Sequence, residues 1–260
     1  MGKAEWGIDP DFFGPRHAHR ESRITHRLRR AAPVPGLHLE CAAGVGSLSL
    51  SLASEGRTVV ATDLSLRSLE YLADRAHLSD LAKNVLPVVG DINNLPFSDD
   101  VFSTATTAET LEHLPDDRRA TEELARVLRP GGWLVGTVPA GPSQWSDWDD
   151  WAGHLRRYAA GDMETLLRRA GLEAQATTWG WPLLRLYDDF FLKRVNRRRL
   201  THNGPIDDDP ALRTVSGLGR KRWLVAFVRT LFALDRPFDG APWGVGLLFS
   251  AQKMGSRRPS

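Results

Sequence analysis

Through the first two thirds of the chain, short apolar runs alternate with longer stretches whose apolar positions recur at helical spacing. Leu37 to Cys41 reads as a buried strand, and Ser47 to Ser54 as a helix. "RTVVATD" at 57–63 is a second strand, followed by a helix capped by Ser65 with Leu66, Leu69, Leu72 and Ala73 on its apolar face. "NVLPVVGD" predicts a third strand, "VFSTATTA" a fourth, Asp116 to Leu128 a helix, and "WLVGTVP" at 133–139 a fifth strand, with Pro130-Gly131-Gly132 as a stop signal between the last two. Further strands are expected over Leu172–Trp179 and Val245–Gln252, and a helix from near Asp162. Ahead of all of these, Arg16 to Ala31 carries Ile24 and Leu28 among many charges, the pattern of an amphipathic and mostly solvated helix. The alternation predicts an α/β fold of parallel strands with helices on both faces of one sheet.

In such a sheet, ligands sit outside the carboxyl ends of the strands. Ala42 to Gly46 lie just past the first strand, and a side chain at Gly44 or Gly46 would fill the space of a ligand held against the next helix's N-terminus. Gly44, Gly46 and Ser49 supply only two glycines of a dinucleotide fingerprint, but Asp63 ends the second strand where an acid bonds a ribose and Asp91 follows the third. A binding edge for a nucleoside-containing cofactor is therefore expected there.

Composition narrows the class. With 42% apolar and 25% charged residues the chain has the makeup of a folded globular protein, and a net charge of +2 gives no reason to expect a nucleic-acid partner. Cys41 is the only cysteine, which excludes an intramolecular disulfide and a multi-cysteine zinc site, and no metal is expected. A reducing, cytoplasmic setting is the default expectation, since the start of the chain turns polar within a few residues and the apolar run at 223–234 is broken by Arg229.

"LHLECAAGVG", "VVATDLS", "VVGDINNLPFSDDVFSTATTAETLEHL" and "LARVLRPGGWLVGTVP", in that order and spacing, resemble the successive motifs of the class I S-adenosylmethionine-dependent methyltransferases, in particular the type 11 small-molecule group, over roughly residues 37–180. The resemblance implies a Rossmann-like sheet of seven strands, the last antiparallel, with S-adenosyl-L-methionine across the ends of strands one, two and four. It implies that Glu40 supports the methionine end, that Ala42, Gly44 and Gly46 form the floor, and that Asp63 takes the ribose hydroxyls with Leu64 on the adenine face. Asp91 and the Ile92 backbone then receive adenine, and Thr107 and Ala108 line the methionine portion. Glu40 stands where the family usually has Asp, and Ala42 where it usually has Gly.

A sulfonium is already an activated electrophile, so the protein's task is to align the acceptor and, where needed, take its proton. His113, His154 and Tyr158 are the candidates for that task; Glu109 is a further one, weighed against a plain surface position. Trp145, Trp148 and Trp151, interleaved with acids, predict a lid over the acceptor. Arg16, His17, His19 and Arg20 are read first as a solvated basic face and second as a reach toward the cofactor carboxylate.

The expected organisation is an N-terminal helical segment over the site (1–36), a cofactor-binding core (37–180), a helical insertion or cap between strands six and seven (181–241), the last strand (242–253) and a disordered tail (254–260). An insertion of about 60 residues must cover something. Its basic, aromatic-rich helical stretches leave three roles open: a pocket roof, a subunit contact in a homodimer, or contact with an anionic membrane beside a lipid-like acceptor. The functional expectation is methyl transfer to oxygen, nitrogen or carbon of a small organic acceptor in bacterial specialised metabolism. The alternatives are a lipid-like acceptor, a non-catalytic cofactor-binding subunit, and a nicotinamide-dependent oxidoreductase.

Overall fold

The computed structural model describes residues 14–32, 36–202 and 208–255. Most of the expected tail and the first part of the expected N-terminal segment lie outside the described residues. Seven strands form one sheet: β1 (Leu37–Cys41), β2 (Thr58–Asp63), β3 (Val85–Val89), β4 (Phe102–Ala108), β5 (Leu128–Pro139), β6 (Leu172–Trp179) and β7 (Gly246–Lys253), in the order β3-β2-β1-β4-β5-β7-β6. The pairs from β3 to β5 are parallel, whereas β7 runs antiparallel to both β5 and β6. Chain order reverses between β1 and β4, and that break opens the crevice where an α/β sheet binds ligands.

Helices cover both faces. On one, Ile24 and Leu28 of α1 (Pro15–Ala31), Leu48 and Leu52 of α2 (Ser47–Ser54), and Leu69 and Leu72 of α3 (Leu66–Leu78) pack on Val59, Ala61 and Val135. On the other, Ala120 and Leu124 of α4 (Asp117–Val127) and Met163 and Leu167 of α6 (Ala160–Arg169) pack on Leu39, Phe102, Leu134 and Phe249; between them lies the short α5 (Asp147–Ala152). The Ser65 hydroxyl accepts the Ser68 N–H and so caps α3 as expected.

Two expectations about α1 and β5 need correcting. Helix α1 is not mostly solvated: His19, Arg23, Ile24, Thr25 and Leu28 are buried, because the face between sheet and insertion closes over it. Pro130-Gly131-Gly132 does not separate α4 from β5. Phe102 pairs with Leu128 and Thr104 with Trp133, so the extra residues loop out as a bulge, with Gly131 taking the required φ of 77°.

The insertion consists of α7 (Leu183–Tyr187), a π-helical turn (Asp188–Leu192), α8 (Lys193–Thr201), α9 (Pro210–Gly219) and α10 (Arg222–Phe232), then a 3-10 segment over Ala233–Phe238. Asp209 caps α9 by accepting the Ala211 and Leu212 N–H groups, and Pro210 occupies its first turn. Trp179, Leu184, Phe232 and Val245 form a separate apolar cluster, and the His19 ring lies 5.7 Å from Trp179 and 5.8 Å from Phe232. The buried Asp235 carboxylate accepts the N–H groups of Leu183 and Leu184.

Candidate cofactor and acceptor site

The loop after β1 is held from three sides. Ala43 N–H donates to the Thr62 carbonyl at 2.9 Å, Gly44 N–H to Asp63 Oδ2 at 2.8 Å, and Arg75 of α3 to the Val45 carbonyl at 2.9 Å. Ala42, Gly44 and Gly46 all have left-handed backbones (φ 57°, 52° and 74°). A Cβ on Gly44 would meet nothing within 4 Å, so the loop faces open space there, as a floor should. Gly46 corrects the expectation for it: a Cβ would sit 2.1 Å from Leu72 Cδ1, and its smallness serves the packing of α2 on α3.

Glu40 is 5% exposed and takes a hydrogen bond from Ser49 Oγ, so the residue at the missing third glycine position anchors the acid instead. Burial pushes the Glu40 carboxyl up to about 8, with Glu21 and Asp63 adding to the rise and the Ser49 hydroxyl opposing it. Asp63 ends β2 with Oδ2 on Gly44 N–H and Oδ1 on Ser65 N–H, both 2.8 Å, which fixes the carboxylate and leaves lone pairs for further donors. Leu64 beside it is 71% exposed, an apolar side chain presented to the same edge. Asp91 is exposed and holds an Asx turn through Asn93 N–H at 2.8 Å, while the Ile92 side chain is buried in the core. Thr107, 1% exposed, carries a buried hydroxyl with no hydrogen-bond partner, and Ala108 packs beneath α1, α2 and α3. An open glycine floor, a buried acid and an orphaned hydroxyl at adjoining strand ends fit a polar, partly cationic ligand.

Helix α1 turns its basic residues inward, contrary to the solvated-face expectation. His17 Nε2 lies 2.9 Å from Glu21 and 3.2 Å from Ser47 Oγ at the start of α2, Ser47 also donates to Glu21, and Arg20 reaches His17 Nδ1 at 2.9 Å. Arg20 also lies 3.6 Å from Glu109, and Arg16 pairs at 3.2 Å with the half-buried Asp188 of the insertion. Glu109 is therefore no plain surface residue. It sits just past β4 at φ 53°, and although burial pushes its carboxyl upward, Arg20 and Arg16 bring it below the ordinary range. The N-terminal helix thus ties the cofactor edge to the insertion. His19 lies deeper, its pKa lowered to about 4 by burial and then by Arg23 and Arg236.

On the acceptor side, the His113 and His154 rings meet edge to face at 4.7 Å. His154 Nδ1 is 2.8 Å from Asp149, which is fully buried and also takes two hydrogen bonds from Arg157 and two from Ser146. Burial alone would raise the Asp149 carboxyl, yet His154 and Arg157 hold it well below the carboxylate range. Glu112, fully buried beside this pair, has neither carboxylate oxygen hydrogen-bonded, and burial together with Glu109 raises it well above the ordinary value. Tyr158 corrects its expectation: it is a core residue 5% exposed whose hydroxyl donates to Asp117 at 2.8 Å, and burial and that acid raise its pKa. Trp148 and Trp151 stack at 4.6 Å on α5, and Trp145 donates to Asp150. Glu21, Glu112, Asp149 and Arg157 were missed by sequence reasoning; only Asp149 left a signal, as the fourth residue of the Ser146 capping box.

The sequence pattern of the family described as "Methyltransferase domain" matches residues 39–136. A methyltransferase of Streptomyces halstedii named GfsG is 35% identical over 130 residues, 49% of this chain and 46% of that protein. A demethylmenaquinone methyltransferase of Clavibacter sepedonicus is 41% identical over 108 residues, 41% of this chain and 43% of that one. The chain thus spans less than half the length of these relatives. Among solved structures, phosphoethanolamine N-methyltransferase 2 of Haemonchus contortus, in complex with S-adenosyl-L-methionine, superposes with a TM-score of 0.65 at 18% identity, over 96% of this chain and 56% of that one. That likeness is one of fold.

Proposed function

Because residues 39–136 match the methyltransferase-domain family, we propose that this chain transfers the methyl group of S-adenosyl-L-methionine to a small organic acceptor held against His113 and His154. The observation that carries the reading is the convergence of Glu40, the open Gly44 floor, Asp63 and Thr107 on one sheet edge with an oriented histidine pair beside it. Asp63 holds the ribose diol, Leu64 and Asp91 the adenine, and Glu40 with Thr107 and Ala108 the methionine portion. The bound cofactor supplies an activated methyl electrophile. His154 holds its imidazole in one orientation through Asp149, which stabilises the charged ring once it has taken the acceptor's proton. His113, edge-on against it, narrows the approach. An oxidoreductase finds no support in the family match.

Incubation with methyl-deuterated S-adenosylmethionine and a bacterial metabolite extract, with mass spectrometry of both phases, tests this. A species carrying the label is expected, absent with H154A. Tight cofactor binding without any labelled product would favour a non-catalytic binding role.

A lipid-like acceptor is the second reading, favoured by the insertion. Trp223, Phe227, Leu231, Leu234 and Phe238 recur at helical spacing with exposures of 41–70%, flanked by Lys221, Arg222, Arg229 and Arg236. That is the composition of a face that rests on an anionic bilayer, and four relatives are, by their names, demethylmenaquinone methyltransferases. Among the described residues no helix is long and apolar enough to cross a membrane, so the contact would be peripheral. Cosedimentation with phosphatidylglycerol vesicles, lost in W223S/F227S, is expected on this reading; equal sedimentation of both proteins contradicts it.

A further inference from the structure

Three residues from two distant parts of the chain converge beside the acceptor position. One ligand-capable atom from each of Glu112, His113 and His154 lies within 4.8 Å of the other two. Glu112 and His113 stand on the 3-10 turn after β4, whereas His154 follows α5, and the Glu112 carbonyl accepts the Leu155 N–H at 2.7 Å, which holds the two segments together. The spacing 112, 113, 154 matches no metal-binding sequence pattern, so only the fold assembles it.

We propose that Glu112, His113 and His154 bind a divalent first-row transition-metal ion. Two independent features point to a cation. Glu112 is fully buried, and both its carboxylate oxygens are buried without a hydrogen-bond partner, although one faces the two imidazoles. A carboxyl in that position calls for a positive partner or for a proton it shares with nothing. The second feature is the support of His154. Its Nδ1 is committed to Asp149, which is itself clamped by Arg157 and Ser146, so Nε2 is left as the ligand atom. Carboxylate, histidine and metal in that sequence is the arrangement that fixes a ligating ring elsewhere.

Two imidazoles and one carboxylate suit zinc and its neighbours rather than magnesium or calcium, which prefer oxygen alone. Ligand atoms around a tetrahedral zinc at about 2.1 Å stand about 3.4 Å apart, so the three side chains close by roughly an ångström on binding, within the reach of small rotamer changes. Three protein ligands leave a position for a further oxygen, the pattern of a catalytic rather than a structural ion. The role there rests on the methyl-transfer reading and takes the place of proton transfer to His154, whose Nε2 the ion occupies: the ion takes the acceptor's oxygen and lowers its pKa, and the released proton goes to solvent. Asp149 is taken up by His154 Nδ1, Arg157 and Ser146, and Glu109 is engaged by Arg20, so neither acid completes the set.

The test uses the full chain stripped with a chelator and titrated with cobalt(II), without S-adenosylmethionine, reading the visible ligand-field absorption. One saturating equivalent is expected, displaced by zinc. E112Q and H154Q, each checked for native circular dichroism, should bind at least tenfold more weakly, and H77A, at an exposed histidine on α3, should bind as the parent does. D149N should weaken binding 10- to 100-fold, since Asp149 positions a ligand without being one. No saturable absorption in the parent, or equal affinity in E112Q and H154Q, overturns the site. Calorimetry with S-adenosylmethionine on the same sample separates that failure from failure of the cofactor reading.

Discussion

Replacing Glu40 by Gln should remove a pH-dependent cost that the cofactor-free fold carries. The Glu40 carboxyl is raised to about 8 in the fold, chiefly by burial, against about 4.3 in an unfolded chain. Between those two values the folded state binds more protons than the unfolded one, so stability falls as pH rises from about 4.3 and levels off above about 8. At about 1.4 kcal/mol per unit, the loss across that window reaches up to about 5 kcal/mol. Gln has the shape of the protonated acid, and its carbonyl can still accept from Ser49 Oγ. Urea unfolding of both proteins from pH 5 to pH 9 should therefore give similar stability at the acid end and a Gln variant several kcal/mol more stable at the alkaline end. A difference between the two that does not change with pH would refute the reasoning. Binding of a cationic ligand beside the same buried carboxyl should drive its proton into solvent, so cofactor affinity should rise with pH toward 8 in the parent and lose that dependence in E40Q.

Asp63→Ala should weaken S-adenosylmethionine binding by ~1.5 to 3 kcal/mol, the worth of a charge-assisted hydrogen bond, while the fold survives because the freed Gly44 and Ser65 N–H groups lie near water; unchanged affinity by calorimetry would show that the ribose is held elsewhere. Gly46→Ala drives a methyl into Leu72 and keeps a left-handed backbone, so it should cost about 2 to 4 kcal/mol in chemical unfolding, against roughly 1 kcal/mol for Gly44→Ala, whose effect should appear in cofactor affinity; equal costs would contradict the packing role assigned to Gly46. Asp149→Asn leaves Arg157 without its buried partner and should destabilise by about 3 to 5 kcal/mol in the same assay, whereas an unaffected midpoint would mean that the clamp around His154 is not formed in solution.

The sheet and the left-handed loop after β1 were legible because they depend on local signals. Apolar runs give the strands, a cap residue at Ser65 starts α3, and small residues at 42–46 mark a turn where three backbones take left-handed angles. Orientation of polar faces was not legible. His17, Arg20 and Glu21 look like a solvated stripe until Ser47 and Glu109 are brought against them, and Arg16 until Asp188 arrives from the insertion. Gly46 was read as space for a ligand because sequence does not show Leu72 behind it. Tyr158 and His154 stand four residues apart, yet a turn sends one phenol to Asp117 on α4 and the other ring to Asp149. The cluster around His154 is built from contacts across 40 residues, such as His113 with His154, and no local pattern encodes those.

The measurement closest to the central claim is calorimetric titration of the chain with S-adenosyl-L-methionine, with NAD titrated in parallel. One equivalent of S-adenosylmethionine bound, with affinity reduced in D63A and no heat from NAD, is the predicted result. Binding of NAD in its place, or no saturable binding of S-adenosylmethionine by a folded sample, would contradict it.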